Sequence, residues 1–139
     1  MPTPHRALRF SVVLGSFAVC QLPADSALPN WLPASGLLSI TRSDDELSIV
    51  CSTDSVPTQV KAERGWICLK LEGPFPFSMT GVLSSFIQPL GEHAVPIFAT
   101  STYNTDYVLI PEQHVAMALR VLRESGHELI SDEEPGKGT

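Results

Sequence analysis

The chain has 139 residues, enough for one ordinary domain or two small subdomains that share a sheet, and too few for two full-size independent domains. Hydrophobic residues make up 43% and charged residues 17%, which supports a packed core and excludes disorder throughout. Nine basic against fifteen acidic side chains leave a net charge of −6, so the chain lacks the electrostatic footprint of a duplex-DNA or anionic-membrane binder.

Twelve prolines and nine glycines announce many loops and short elements rather than a helical bundle. The chain opens with Arg6 and Arg9 ahead of an apolar run, FSVVLGSFAVC (10–20), which imitates a short signal peptide. Gly15-Ser16 divides that run into two strand-length pieces, and Val19 is too bulky for the small residue a cleavage site needs. The expectation is a hairpin of mature protein, with strands at 8–14 and 17–22. No apolar stretch approaches the roughly 20 residues that span a bilayer, so a cytoplasmic protein is expected. Residues 23–36 carry Pro23, Pro29 and Pro33 around Trp31 and read as a loop. Residues 37–51 read as a hairpin: Leu38, Ile40, Leu47, Ile49 and Cys51 alternate with polar positions, and Ser43-Asp44-Asp45 supplies the turn. Residues 52–64 are a polar connector, and WICLKLE (66–72) is a strand.

GPFPF (73–77) is a rigid loop, after which Ser78 or Thr80 is placed to cap a helix. Val82, Leu83, Phe86, Ile87 and Leu90 form one stripe at helical spacing, and Gly91 marks the stop. Residues 94–100 are a strand in which Pro96 signals an edge position. STYNT is a turn, and residues 106–110 a further strand. Pro111 is placed to open a second helix, with Val115, Ala118, Leu119 and Leu122 on its buried face and Gly126 at its end. HELI (127–130) is a last strand, and the polar tail is expected to be disordered. From residue 65 the order is β-α-β-β-α-β. This is the ferredoxin-like α+β arrangement, with two helices on one face of an antiparallel sheet. The first half either extends that sheet or forms a second, degenerate copy.

Chemistry-bearing residues are sparse. Cys20, Cys51 and Cys68 stand far apart with no CxxC pair, and read as buried thiols in a reducing compartment. His5, His93, His114 and His127 show no metal-ligand spacing. With no nucleophile–base pair or phosphate-cradling glycine loop, neither catalysis nor a metal or cofactor is expected.

Two stretches, GWICLKLEGPFPFSMTGVLSSFIQPL (65–90) and VPIFATSTYNTDYVLIPE (95–112), resemble the paired small-molecule-binding ACT domains of a bacterial family. That family is related to the regulatory region of aspartate kinases and to the cytosolic arginine sensors. PNWLP (29–33) and ITRSDDELSIVC (40–51) resemble it as well. The resemblance implies a tandem ACT protein: a degenerate, strand-rich ACT-like half at 1–64, an ACT domain at 65–131 and a tail at 132–139. It also implies a non-catalytic regulatory module that binds an amino acid or similar small ligand and pairs as a homodimer. A protein partner fits this picture; nucleic acid and membrane do not. The alternative is an interaction module on the same fold without a ligand.

A free amino acid needs donors for its carboxylate, which a helix N-terminus supplies, and an acceptor for its ammonium. Ser78, Met79, Thr80, Gly81 and Val82 occupy the expected helix start, where Gly81 permits close backbone approach. Asp106 is the candidate acceptor, just after the turn lined by the hydroxyls of Thr100, Ser101, Thr102 and Tyr103, which could orient a ligand. The resemblance places a ligand contact at Asp106. Met79 stands where the arginine sensors carry an acidic residue, so a smaller or less basic amino acid is expected here.

Overall fold

The computed structural model describes residues 6–132 of the chain. Their elements run β1 (Arg9–Leu22), β2 (Ser39–Arg42), β3 (Leu47–Ser52), β4 (Ala62–Leu71), α1 (Val82–Glu92), β5 (Phe98–Ser101), β6 (Asp106–Pro111), α2 (Val115–Glu124) and β7 (Glu128–Asp132). Short 3-10 turns at Thr53–Ser55 and Glu112–His114 precede β4 and α2. The expected β-α-β-β-α-β order is present from β4 to β7. The chain folds as two compact units, one of Gly15–Trp66 and a larger one of residues 6–14 and 67–132. β1 and β4 contribute residues to both.

In the larger unit the strand order is β7-β1-β4-β6-β5. β5 and β6 pair antiparallel with Ser101 opposite Asp106, whereas β7 pairs parallel with β1 from Arg9↔Glu128 to Val12↔Asp132. Residues 9–12 thus add a fifth strand to the four of the basic pattern. The two helices are amphipathic. Val82, Phe86 and Leu90 recur every four residues on α1, as do Ala118 and Leu122 on α2, and they share one core with Phe10, Leu69, Leu71, Val108 and Ile110 of the strands. The strand residues alternate with period two, so both helices cover one face of the sheet. Phe10 and Phe86 meet edge to face at 5.2 Å, and both are fully buried. Each such side chain contributes about 1.5–3 kcal/mol on leaving water.

The smaller unit is built from strands. β3 pairs antiparallel with both β1 and β2. Ala18, Cys20, Leu47, Ile49 and Cys51 form its core, with Trp31, Leu38 and Val60 packed against it. The β2–β3 turn is closed by the Ser43 N–H donating to the Glu46 carbonyl at 2.9 Å, while the Ser43 hydroxyl accepts from the Asp45 N–H. Of the apolar positions read into this hairpin, Ile40 is exposed. No α-helix occurs among the described residues of this unit.

Several expectations need correction. Residues 8–22 are no hairpin. Gly15 takes a positive φ of 100° inside one continuous 14-residue strand. The strand runs on because its halves pair with β7 and β3 instead of with each other. α1 starts at Val82 with Gly81 as its N-cap at φ 78°, and neither Ser78 nor Thr80 caps it. The Met79 N–H donates to the Pro76 carbonyl at 3.0 Å, a turn that holds this segment out of the helix. Gly91 lies within α1 rather than ending it, and the His93 Nδ1 sits 2.9 Å from the Pro89 carbonyl oxygen. Pro96 precedes β5 instead of sitting in it. Pro111 closes β6 in an extended conformation, ψ 139°, and does not open α2. β4 begins at Ala62, inside the expected connector. The tail expected to be disordered lies, from residue 133 on, outside the described residues.

Candidate functional site

Two segments of the larger unit meet beyond the end of its core. One is the loop between β4 and α1. The other is the β5–β6 turn, closed by the Thr102 N–H donating to the Thr105 carbonyl at 2.8 Å. The Thr105 hydroxyl is buried and donates to the Leu71 carbonyl at 2.7 Å, and the Phe75 N–H donates to the Asn104 carbonyl at 2.8 Å. These bonds seat the turn against the loop. Gly73 makes the contact feasible: a Cβ there would lie 2.7 Å from the Asn104 carbonyl oxygen.

Between the segments lies a hollow of about 210 Å³. Its apolar wall is Phe75, Phe77, Met79, Val82 and Tyr103, and its polar wall is Ser101, Thr102, Asn104, Thr105 and Asp106. Strand alternation places Asp106 on the face of β6 that carries Val108 and Ile110, so its carboxylate stands at the edge of the helix-covered face. The Ser101 hydroxyl donates to one of its oxygens. Among the described residues Asp106 is the only carboxylate in the wall, and neither Lys, Arg nor His lines it. A second hollow of about 300 Å³ is lined by Pro74 and Pro76 together with Phe75, Phe77, Tyr103 and Asn104, most of which it shares with the first. Phe77 and Tyr103 pack edge to face at 5.0 Å although each is about four-fifths exposed, at 78% and 80%.

Met79, Val82, Ser101, Thr102 and Asp106 of the expected site line the first hollow together. Ser78, Thr80, Gly81 and Thr100 do not. The Thr80 carbonyl instead accepts from the Arg6 guanidinium at 3.1 Å. Thr100 pairs with Tyr107, one position from Ser101, so alternation directs it to the opposite face. Sequence reasoning placed Tyr103 in the turn for its hydroxyl but missed Phe75, Phe77 and the aromatic wall that the three rings form. The signal was present: two phenylalanines bracketing a proline and a tyrosine in the facing turn are costly solvent-exposed residues for mere loops. Among the described residues there is no group of three His, Cys, Asp or Glu side chains that could hold a metal ion.

Residues 61–124 match the family model of the ACT domain. This segment is an ACT domain. A second family model, described as an N-terminal domain, matches residues 15–59. Across nearly the whole chain the protein is similar to the crystal structure of protein Atu0741 from Agobacterium tumefaciens. That similarity is 36% identity over 93% of this chain and 96% of the other, with a TM-score of 0.87. The regulatory subunit of aspartate kinase from Thermus flavus shares the fold at a TM-score of 0.60 and 13% identity, over 86% of this chain and 99% of that one. In sequence, this ACT-domain protein is 33% identical over 66 residues to the cytosolic arginine sensor for mTORC1 subunit 1 of Bos taurus, covering 44% of this chain and 20% of the sensor. The human sensor is 31% identical over 68 residues. The chain spans about a fifth of the length of these curated relatives.

Proposed function

We propose that this ACT-domain protein is a non-catalytic sensor that captures a free amino acid in the hollow between the β4–α1 loop and the β5–β6 turn. The observation that carries this reading is the carboxylate of Asp106, alone in charge among the described residues of the wall. One of its oxygens is held by Ser101 and the other is available to an ammonium group. The hollow is smaller than the roughly 300–1,000 Å³ that drug-sized ligands fill, which suits a small metabolite. Relatives named as an arginine sensor and as an aspartate kinase regulatory subunit support the regulatory role.

Residues 65–131 are the ACT domain in this reading, residues 1–64 its ACT-like companion, and a cytoplasmic homodimer the working form. Capture acts by shifting an equilibrium with the second copy or a protein partner, which requires different affinity for the two states. No described helix is long and apolar enough to cross a membrane. The exposure of Phe77 and Tyr103 favours a second reading, in which the same rim seats a protein partner and no ligand.

Thermal unfolding of the full chain against each proteinogenic amino acid at millimolar concentration separates the two. A sensor gives a rise of several degrees with one or a few of them, growing with the logarithm of concentration above Kd, because a ligand of the native state at about 100 times its Kd stabilises by about 2.7 kcal/mol. Asp106→Asn keeps an acceptor for Ser101, removes the charge, and abolishes the rise while the unliganded transition stays in place. A flat screen on folded protein contradicts the sensor and favours the partner-binding rim.

A further inference from the structure

We propose that the ligand is an amino acid with a large apolar side chain, leucine, methionine or phenylalanine in kind, and neither a basic nor an acidic one. This deepens the sensor reading and rests on it. The argument is one of charge and partition. Among the described residues the wall of the first hollow has a single formal charge, Asp106, and the ligand's ammonium consumes it. A lysine or arginine ligand would bring a second cation with no second carboxylate among these residues to receive it, since Met79 lies at the entry to α1. An aspartate or glutamate ligand would bring a side-chain carboxylate in addition to its α-carboxylate and Asp106, with no cationic side chain among these residues to offset it.

The apolar wall of the same hollow gives the side chain its place. Phe75, Phe77, Met79, Val82 and Tyr103 line it together with Asp106. An amino acid anchored at Asp106 therefore lays its side chain against rings and aliphatic groups, and an aromatic or branched group there joins the Phe77–Tyr103 edge-to-face pair. The exposure of these two rings is then explained: they cover a ligand rather than a core.

The test is isothermal titration of the full-length protein with leucine, methionine and phenylalanine, then with lysine, arginine, aspartate and glutamate, followed by the same series on Tyr103→Ala and Asp106→Asn. The proposal expects one of the apolar ligands to bind at least about tenfold tighter than any charged one. Tyr103→Ala lies on the exposed rim and leaves the fold intact; it weakens the apolar ligand about tenfold. Asp106→Asn abolishes binding of all of them. A charged amino acid that binds tightest and still depends on Asp106 overturns the apolar preference and leaves the sensor reading standing. An apolar ligand whose affinity Tyr103→Ala does not change overturns the placement of its side chain against the Phe77–Tyr103 rings. Absence of any binding overturns both.

Discussion

Thr105 ties the candidate site to the sheet through one buried hydrogen bond, from its hydroxyl to the Leu71 carbonyl at 2.7 Å. Thr105→Val preserves the shape and leaves that carbonyl without its donor, so it costs about 1–3 kcal/mol in urea unfolding, whereas Thr105→Ser recovers most of the loss. Cys20 and Cys51 make a second residue-level prediction. Burial raises both thiols, and the Cys51 pKa is pushed up from its usual 9.0 to about 11. Between those values the unfolded chain has lost a proton that the folded chain keeps, so the thiol's contribution is complete below pH 9 and fades as pH rises towards 11. Stability measured across that range falls by about 2 kcal/mol more in the native sequence than in Cys51→Ala. Of the residues lining the hollow, Asp106, Ser101 and Thr102 are legible in the sequence because a carboxylate and hydroxyls in a turn advertise themselves. Thr100 does not line it, because strand alternation turns it to the opposite face. The aromatic wall stays hidden in the sequence because its rings belong to two segments about 25 positions apart, brought together by the Thr105–Leu71 and Phe75–Asn104 hydrogen bonds.

Both helices end in the same way. In α2 the Gly126 N–H donates to the Arg123 carbonyl at 2.9 Å and the His127 N–H to the Leu122 carbonyl at 3.0 Å, with Gly126 left-handed at φ 96°. In α1 the Ala94 N–H donates to Gly91 at 3.1 Å and the Val95 N–H to Leu90 at 3.0 Å, and Ala94 takes the left-handed position at φ 57°. This is the Schellman closure, which favours glycine because a Cβ is strained there. Ala94→Gly therefore raises the melting temperature, with a gain of about 0.5–1 kcal/mol, a rare case of glycine stabilising a fold. The same comparison shows why the end of α1 was misread. Gly91 looked like the stop, yet it lies three residues before the true left-handed position, where the sequence carries an alanine. Helix existence was legible from the apolar stripes, since spacing of three and four encodes a buried face directly. The unity of β1 was not, because a Gly-Ser pair between apolar runs signals a turn only if the flanking pieces pair with each other. Here they pair with segments about 30 and 120 positions away in the chain, which no local pattern reports.

Two hydrophobic clusters hold the described residues of the molecule together, the cysteines are buried, and among the described residues the histidines do not cluster with other metal-ligating groups. Phe75 and Val82 face the hollow and also pack on the core of the larger unit, so a ligand seated there bears on the side chains that position α1. That gives capture a physical route to a regulatory output, through the packing of one helix rather than through bond chemistry. The most direct measurement is an amide-resolved nuclear magnetic resonance titration of the full chain with the amino acid that gives the largest thermal shift. Capture in the hollow predicts saturable shifts at Phe75, Phe77, Met79, Val82, Tyr103 and Asp106, with the amides of β2 and β3 unmoved. Saturable shifts that avoid these residues, or none at millimolar ligand, would contradict it.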